Sequence, residues 1–334
     1  MIRAHIVGVG AYLPARVLSN HDLEKLVDTS DEWIRTRTGI RERRIADENE
    51  HTSDLAVAAA REALEDAGLS VGELDALIVA TTTPDMIFPS TASIVQEKLG
   101  GQGFPAWDVQ AVCAGFVYAL AHADAWIRAG FGRRVLVVGA ETMSRIVNWR
   151  DRSTCVLFGD GAGAVVLEGR EEEGGIIGSV LHCDGRYRPL LLAHHGRRVG
   201  HPDKPVMDVD SAGVAAIQMR GNEVFRVAVQ KLGEVVEEVL ARFHVRAEDV
   251  DWLVPHQANL RIIRATASRL RLPMERVAVT IDRHGNTSAA SVPLALHALA
   301  RSGRLKPGQL LLFEAFASGF AWGANLVRWT KEGR

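Results

Sequence analysis

Residues 77–82 read LIVATT and residues 135–141 read VLVVGAE, 58 positions further on; residues 252–257 read WLVPHQ and residues 310–316 read LLLFEAF, again 58 positions apart. Each is a short, nearly uninterrupted apolar run, the pattern of a strand covered on both faces. Between the members of each pair, a thiol or amide residue leads into small residues and then a helical pattern. Cys113 begins CAGFVYALAHA, 36 residues after Leu77, and Asn286 begins NTSAASVPLALHAL, 34 residues after Trp252. Features in matching order at nearly matching spacing predict an internal duplication, which places Asn286 where the other half has Cys113. The charged, glycine-ended connector REEEGG at 170–175 divides the halves into units 1–172 and 173–334.

Working outward, MIRAHIVGVGAYLP at the N-terminus reads as a first strand rather than a signal peptide, having no small-residue cleavage site. Val156–Phe158 and Ala164–Leu167 read as further strands, and Leu55–Ala67 and Gly115–Ala129 carry helix-period apolar residues. The alternation predicts an α/β protein. The segment 182–210, rich in Gly, Pro, His and Arg, reads as a long loop of the kind that covers functional sites.

With 334 residues, 47% of them apolar and 24% charged, the chain can bury a core and is not a disordered polymer. The 39 Lys and Arg nearly balance 41 Asp and Glu, for a net charge of −2. That argues against bulk electrostatic binding of nucleic acid or an anionic membrane. Apolar stretches are interrupted, as by His122 and Asp124, so no bilayer span is expected. Three cysteines, Cys113, Cys155 and Cys183, are too few for a disulfide scaffold and fit a reducing, cytoplasmic compartment.

Cys113 leads into a helix, where backbone N–H groups and the helix dipole favour a thiolate; taken alone, a lone cysteine reads more often as an inert core residue. Cys155 and Cys183 lack that setting. His256 follows an apolar strand, at the carboxyl end where α/β proteins place reactive groups. Asn286, although Gly-Asn is ordinary turn chemistry, joins them through the duplication. A thiol, an imidazole and an amide converging on one site match the nucleophile and oxyanion donors of acyl transfer. Competing motifs fail. Gly8-Val9-Gly10 lacks a third glycine and a following helix. Gly159–Gly163 has no Lys-Ser/Thr and reads as a tight strand-to-strand turn. His194, His195 and His201 have no carboxylate or cysteine at ligand spacing, so no metal is expected. Arg41, Arg43 and Arg44 read as a solvated basic face.

Five stretches together resemble the β-ketoacyl-acyl-carrier-protein synthase III family, the initiating condensing enzymes of bacterial fatty-acid synthesis. They are AVCAGF (111–116), VPHQANLRII (254–263), DRHGNTSAASVPLAL (282–296), TSDEWI (29–34) with RTGIRER (37–43), and CVLFGDGAGAVVL (155–167). The resemblance implies the thiolase-like fold, a duplicated five-layer αβαβα sandwich, and a homodimer. It implies a catalytic Cys113, His256 and Asn286, with backbone N–H groups of Cys113 and Ser318 holding an oxyanion. For coenzyme A it implies Trp33 and Arg152 around the adenine, Thr29 and Arg37 beside it, and Asn222, Phe225, Ala258 and Asn259 along the pantetheine channel. Phe88, reaching across the dimer, and Phe158 would shape the acyl pocket, and Arg226, Arg261 and Arg264 would meet the acidic carrier protein.

The implied reaction joins a short acyl-CoA primer, acetyl-CoA first among them, to malonyl-acyl carrier protein without a cofactor. Two positions depart from the family pattern: Ala317-Ser318-Gly319-Phe320 stands where three glycines usually precede the Phe, and Ser153 replaces a glycine after the adenine-stacking Arg. A priming synthase for longer or branched acyl-CoA in a secondary pathway, and a non-catalytic CoA or carrier-protein binding module, are the alternatives. The intact Cys113, His256 and Asn286 argue against the latter.

Overall fold

The structure, a computed structural model, describes residues 2–193 and 216–332; His194, His195, His201 and most of the expected loop 182–210 lie outside the described residues. In chain order the strands are β1 (Arg3–Tyr12), β2 (Arg16–Ser19), β3 (Glu42–Ile45), β4 (Ala76–Ala80), β5 (Ala106–Val109), β6 (Arg134–Thr142), β7 (Asp160–Arg170), β8 (Gly175–Cys183), β9 (Leu191–Ala193), β10 (Ile217–Met219), β11 (Trp252–Pro255), β12 (Leu310–Ala317) and β13 (Ala321–Arg328). One sheet has the order β1-β7-β6-β4-β5 and a second the order β11-β12-β13-β8. Both are mixed in the same way. β4 runs parallel to β6, which turns back antiparallel through β7 to β1; β11 runs parallel to β12, which turns back through β13 to β8.

Strands buried on both faces need a helical layer on each side, and three apolar clusters show how that need is met. One face of the first sheet, with Leu77, Val79, Leu136 and Val138, packs on the helix Thr52–Ala67. Its other face, with Ile78, Val135 and Val137, packs on the helices Gly115–Arg128 and Ser291–Arg301, which lie against Val254, Leu311 and Phe313 of the second sheet. The outer face of the second sheet, with Leu253, Leu312 and Leu326, is covered by Gly221–Arg242 and Leu260–Arg269. The result is the five-layer αβαβα sandwich of the thiolase-like fold. No helix among the described residues is long and apolar enough to cross a membrane.

Several local expectations change. Asp160–Gly163 is not a turn but the start of β7, and Val156–Phe158 is not a strand, making only an isolated bridge from Phe158 to Asn286. The stretch after Cys183 is not loop throughout: a 3₁₀ turn at Gly185–Leu190 leads into β9, which pairs with β10. Gly8 and Gly10 serve packing. A Cβ on either would lie 2.2 Å from a backbone oxygen of the helix Thr52–Ala67, so glycine lets that helix close onto β1.

The basic face is the largest change. Arg43 is fully buried, because alternation along β3 turns it and Ile45 inward and Glu42 and Arg44 outward, while Arg41, just before the strand, stays exposed. Its guanidinium donates to Leu18 O (3.0 Å), Asn20 Oδ1 (2.9 Å) and Val156 O (2.8 Å), joining the β2–β3 pair to the segment beside Asn286. Replacing Arg43 with Leu strands three buried acceptors. The expected loss is ~3 kcal/mol of unfolding free energy, read as a lower midpoint in chemical denaturation.

Candidate active site

Cys113 lies in a 3₁₀ turn, Val112–Ala114, leading into the helix Gly115–Arg128. The second half repeats the device: a 3₁₀ turn, Ser288–Ala290, leads into the helix Ser291–Arg301. Each turn opens on a residue with left-handed backbone, Val112 at φ +48° and Ser288 at φ +49°. These landmarks align Cys113 with Ala289 and place Asn286 three residues before that position, which corrects the correspondence expected from the repeat. Cys113 lies 37 residues beyond the start of β4 and Ala289 37 beyond the start of β11, so the strand spacing agrees with this alignment and Asn286 falls three residues short of it.

The segment from Asn286 to Ser291 touches every part of the site. Asn286 is held at both backbone groups, its N–H donating to Leu157 O (2.8 Å) and its carbonyl accepting from Gly159 N–H (3.1 Å). Its Oδ1 accepts from Ser288 N–H (2.9 Å), which leaves the amide nitrogen as the outward donor. Ser291, at the start of the helix, places its hydroxyl 2.6 Å from His256 Nδ1 and accepts from Gln257 N–H at 3.3 Å. That contact holds the ring through Nδ1 and leaves Nε2 as the ring nitrogen free for another partner. His256 N–H donates to Glu314 O (2.8 Å) across the parallel strands. Gln257 ties the two loops together, accepting at Oε1 from Thr280 and Ile281 N–H (2.9 and 3.0 Å) and donating to Pro255 O and Ala278 O (2.8 and 3.1 Å).

The electrostatics differ from the sequence expectation. Burial pushes the Cys113 thiol up to about 12; the Ser288 hydroxyl and the residue's own N–H favour the thiolate, and Glu141 opposes it. Burial drives His256 down to about 3, so the imidazole is neutral at physiological pH. Glu141 lies fully buried below the thiol, its carboxyl raised by burial, with Oε2 accepting from Thr83 Oγ1 (2.6 Å), Thr82 N–H (3.0 Å), Thr83 N–H (3.1 Å) and Thr81 Oγ1 (3.3 Å). Ser288 lies near both Cys113 and Glu141, though its buried hydroxyl makes no well-formed hydrogen bond. Glu314 is a second buried carboxyl, raised by burial to about 8. The sequence analysis missed Glu141, Glu314, Ser288, Gln257 and Ser291. A carboxylate inside each of the runs VLVVGAE and LLLFEAF was the available signal for the first two.

A cavity of about 820 Å³ opens beside Cys113, walled by Phe158, Met143, Ile146, Leu191, Ile217 and Ser318. Cys183, for which the sequence offers no role, lines it too, whereas His256 and Asn286 do not. Phe88 is 82% exposed in the single chain and takes no part in it. Ser318 does not occupy the left-handed region; that conformation falls on Gly319, φ +133°, which is still glycine. The side chain at 318 therefore carries no backbone strain.

On the surface, Trp33 has Arg37 at 4.9 Å and Arg152 at 5.2 Å from its ring. Arg152 also donates to Asp28 O (2.6 Å). Neighbouring Ser153 is absorbed by its own turn, where its N–H and hydroxyl both reach Asp151. Thr29 is half-buried, with an unpartnered hydroxyl. Asn259 caps the helix Leu260–Arg269 and donates to Arg37 O (3.0 Å), joining this cluster to Ala258. Phe225 lies under Arg261 at 4.9 Å, and Asn222, Arg226 and Arg264 are exposed on the same two outer helices. Among the described residues, no group of three or more His, Cys, Asp and Glu is placed to hold a metal ion.

A thiol buried in this way ionises only in strongly alkaline solution. Alkylation of Cys113 by iodoacetamide is expected to rise about tenfold per pH unit from pH 7 to 10 without levelling. A plateau below pH 8 means the helix N-terminus governs the thiol after all.

The chain is similar to known proteins over nearly its whole length. Residues 107–185 match the family model for 3-oxoacyl-[acyl-carrier-protein] synthase III, and residues 240–329 match that for its C-terminal part. A curated relative, the beta-ketoacyl-[acyl-carrier-protein] synthase III of Thioalkalivibrio sulfidiphilus, is 56% identical over 98% of this chain and all of its own. The crystal structure of the 3-oxoacyl-[acyl-carrier-protein] synthase III of Aquifex aeolicus superposes with a TM-score of 0.89 at 49% identity, covering 98% of this chain and 100% of that one. That of the priming β-ketosynthase from the R1128 polyketide pathway gives 0.91 at 37% identity, covering 98% and 97%.

Proposed function

The chain belongs to the beta-ketoacyl-[acyl-carrier-protein] synthase III family of condensing acyltransferases, which initiate fatty-acid synthesis, and on that premise we propose that Cys113 is its nucleophile and that His256 and Asn286 are its oxyanion donors. What supports this reading is the single turn from Asn286 to Ser291, which orients the Asn286 amide, approaches Cys113 through Ser288 and holds the His256 ring through Ser291.

Cys113, giving up its proton, attacks the thioester carbon of acyl-CoA. The tetrahedral oxygen is held by the backbone N–H groups of Cys113 and Ser318, and CoA leaves as a thiolate that takes up a proton. Malonyl-acyl carrier protein then loses CO2. The electron pair of the broken C–C bond delocalises onto the thioester oxygen, where His256 Nε2–H and Asn286 Nδ2–H donate. The resulting carbon nucleophile attacks the acyl-enzyme and expels the Cys113 thiolate, which takes up a proton to restore the thiol, giving a 3-ketoacyl carrier protein. A neutral imidazole suits this role, because it donates without needing to titrate. The sequence as written consumes no electrons and calls for no metal.

The reading divides the chain into a unit 1–172 that carries the nucleophile and a unit 173–334 that carries the donors. It assigns Trp33, Arg152, Thr29 and Arg37 to the nucleotide end of coenzyme A, and Asn222, Phe225, Ala258 and Asn259 to its pantetheine arm. Arg226, Arg261 and Arg264 receive the acidic carrier protein, and Phe158 borders the acyl chain. It also makes the enzyme a cytoplasmic homodimer in which exposed Phe88, beside exposed Met86 and Ile87, closes the partner's cavity. A monomer in sedimentation at micromolar concentration removes Phe88 from that role. The size of the cavity favours one second reading, a longer or branched primer in place of acetyl, and the likeness to the R1128 priming enzyme accords with priming in a secondary pathway.

Intact-protein mass spectrometry after mixing with acetyl-CoA tests the chemistry. An acetyl adduct on Cys113 that disappears when malonyl-acyl carrier protein is added is the expected result, and C113S forms none. H256A and N286A are expected to keep self-acylation while losing roughly 10²–10³-fold in malonyl decarboxylation; the reverse pattern overturns their assignment.

A further inference from the structure

We infer that the Ser318 hydroxyl determines primer selectivity, by fastening the β9–β10 ribbon to the loop beside the nucleophile; this rests on the acyl-transfer reading above. The ribbon is a two-stranded sheet of three residues a side, pairing Leu191 with Met219, Leu192 with Gln218 and Ala193 with Ile217. Such a ribbon has little stability of its own in water, so its position over the cavity depends on what its edges bind. It supplies Leu191, Leu192, Ala193 and Ile217 to the cavity wall.

The pairing pattern shows which groups are free for that purpose. Arg220 N–H donates to Leu190 O (2.8 Å), which makes that residue pair the hydrogen-bonded one. The next pair, Leu191 with Met219, then turns its backbone groups outward, and so does Ala193 with Ile217. Both outward edges are tied to the body of the protein. Ile217 N–H donates to Ile146 O (2.9 Å), and Leu191 O accepts from the Ser318 hydroxyl. The loop bearing Ser318 is itself anchored. Phe320 exchanges two backbone hydrogen bonds with Asp184, both 2.8 Å, and its ring stacks on Tyr187 at 5.2 Å and 11°.

Ser318 and the ribbon line the same cavity as Cys113. A glycine or alanine at 318 leaves Leu191 O to water and releases one of the two described edges, so the leucine wall can yield to a longer acyl chain. Ser318 is thus a specificity-determining residue by way of its side chain, separately from any donor role of its backbone.

The test measures rates of Cys113 acylation by acetyl-, butyryl- and octanoyl-CoA, followed by intact mass, in the full-length protein and in S318A, S318G and S318T. In S318A and S318G the octanoyl-to-acetyl rate ratio is expected to rise roughly fivefold, the factor that one ordinary hydrogen bond contributes net. S318T, which keeps the hydroxyl, is expected to retain the original ratio. A general loss of structure lowers all three rates together and leaves the ratio where it was, so an unchanged ratio in S318A and S318G overturns the inference. If no thioester labels Cys113 in the unaltered protein, the acyl-transfer reading fails and takes this one with it. A labelled protein with a fixed ratio sinks the Ser318 role alone.

Discussion

The middle helical layer imposes the constraint on which the rest of the molecule depends. Two helices, Gly115–Arg128 and Ser291–Arg301, lie between two sheets and begin side by side, so their entry turns must pass at van der Waals distance. There is no slack. A Cβ on Gly139 would lie 2.4 Å from Ala289 O, and one on Gly115 would lie 3.4 Å from the Ala289 side chain. A helix N-terminus also leaves backbone N–H groups unpaired, and here that deficit falls in the interior. Glu141 answers part of it by accepting from Ala289 N–H (3.4 Å) as well as from the Thr81–Thr83 loop. The same crowding brings Cys113 against Ser288 and Ser291 against His256.

Burial at this depth sets the character of the chemistry. The thiol and the imidazole both shift toward their neutral forms, so the site is poor in standing charge and rich in fixed dipoles. Donors held in place in a dry interior act more strongly on a developing oxyanion than they would in water, because neither solvent screening nor reorganisation intervenes. What holds them is hydrogen bonding away from the reacting atoms: Gln257 joins the His256 and Asn286 loops, and Arg43 braces the segment that pairs with Asn286. The cavity beside Cys113 is built differently, for its wall includes a short two-stranded ribbon held at its edges.

Much of this was legible in the sequence, for particular reasons. Uninterrupted apolar runs such as ALIVA and LLLFEAF admit one arrangement, a strand covered on both faces, and their repetition at one spacing implies two such sheets. Cys113, His256 and Asn286 were legible because each follows such a run or enters a helix through small residues. Arg43 was not legible as a core residue, since a run of arginines gives no sign of which one a four-residue strand turns inward. Nor was the match of Cys113 to Ala289 rather than Asn286. That match depends on two left-handed residues, Val112 and Ser288, neither of them a glycine that would mark the position.

Composition, strand pattern and motif spacing alone determined the α/β class, the internal duplication and the residues able to carry acyl-transfer chemistry, because apolar periodicity and local turn chemistry act over a few neighbouring residues. Only the tertiary structure decided that the thiol is raised and not lowered, that the His256 ring is held by Ser291, and that the Ser318 side chain reaches the cavity wall. Each of those depends on burial or on contacts between residues 35 to 175 positions apart, or, for Ser318 and Leu191, 127 apart, distances over which sequence carries no record of what packs against what.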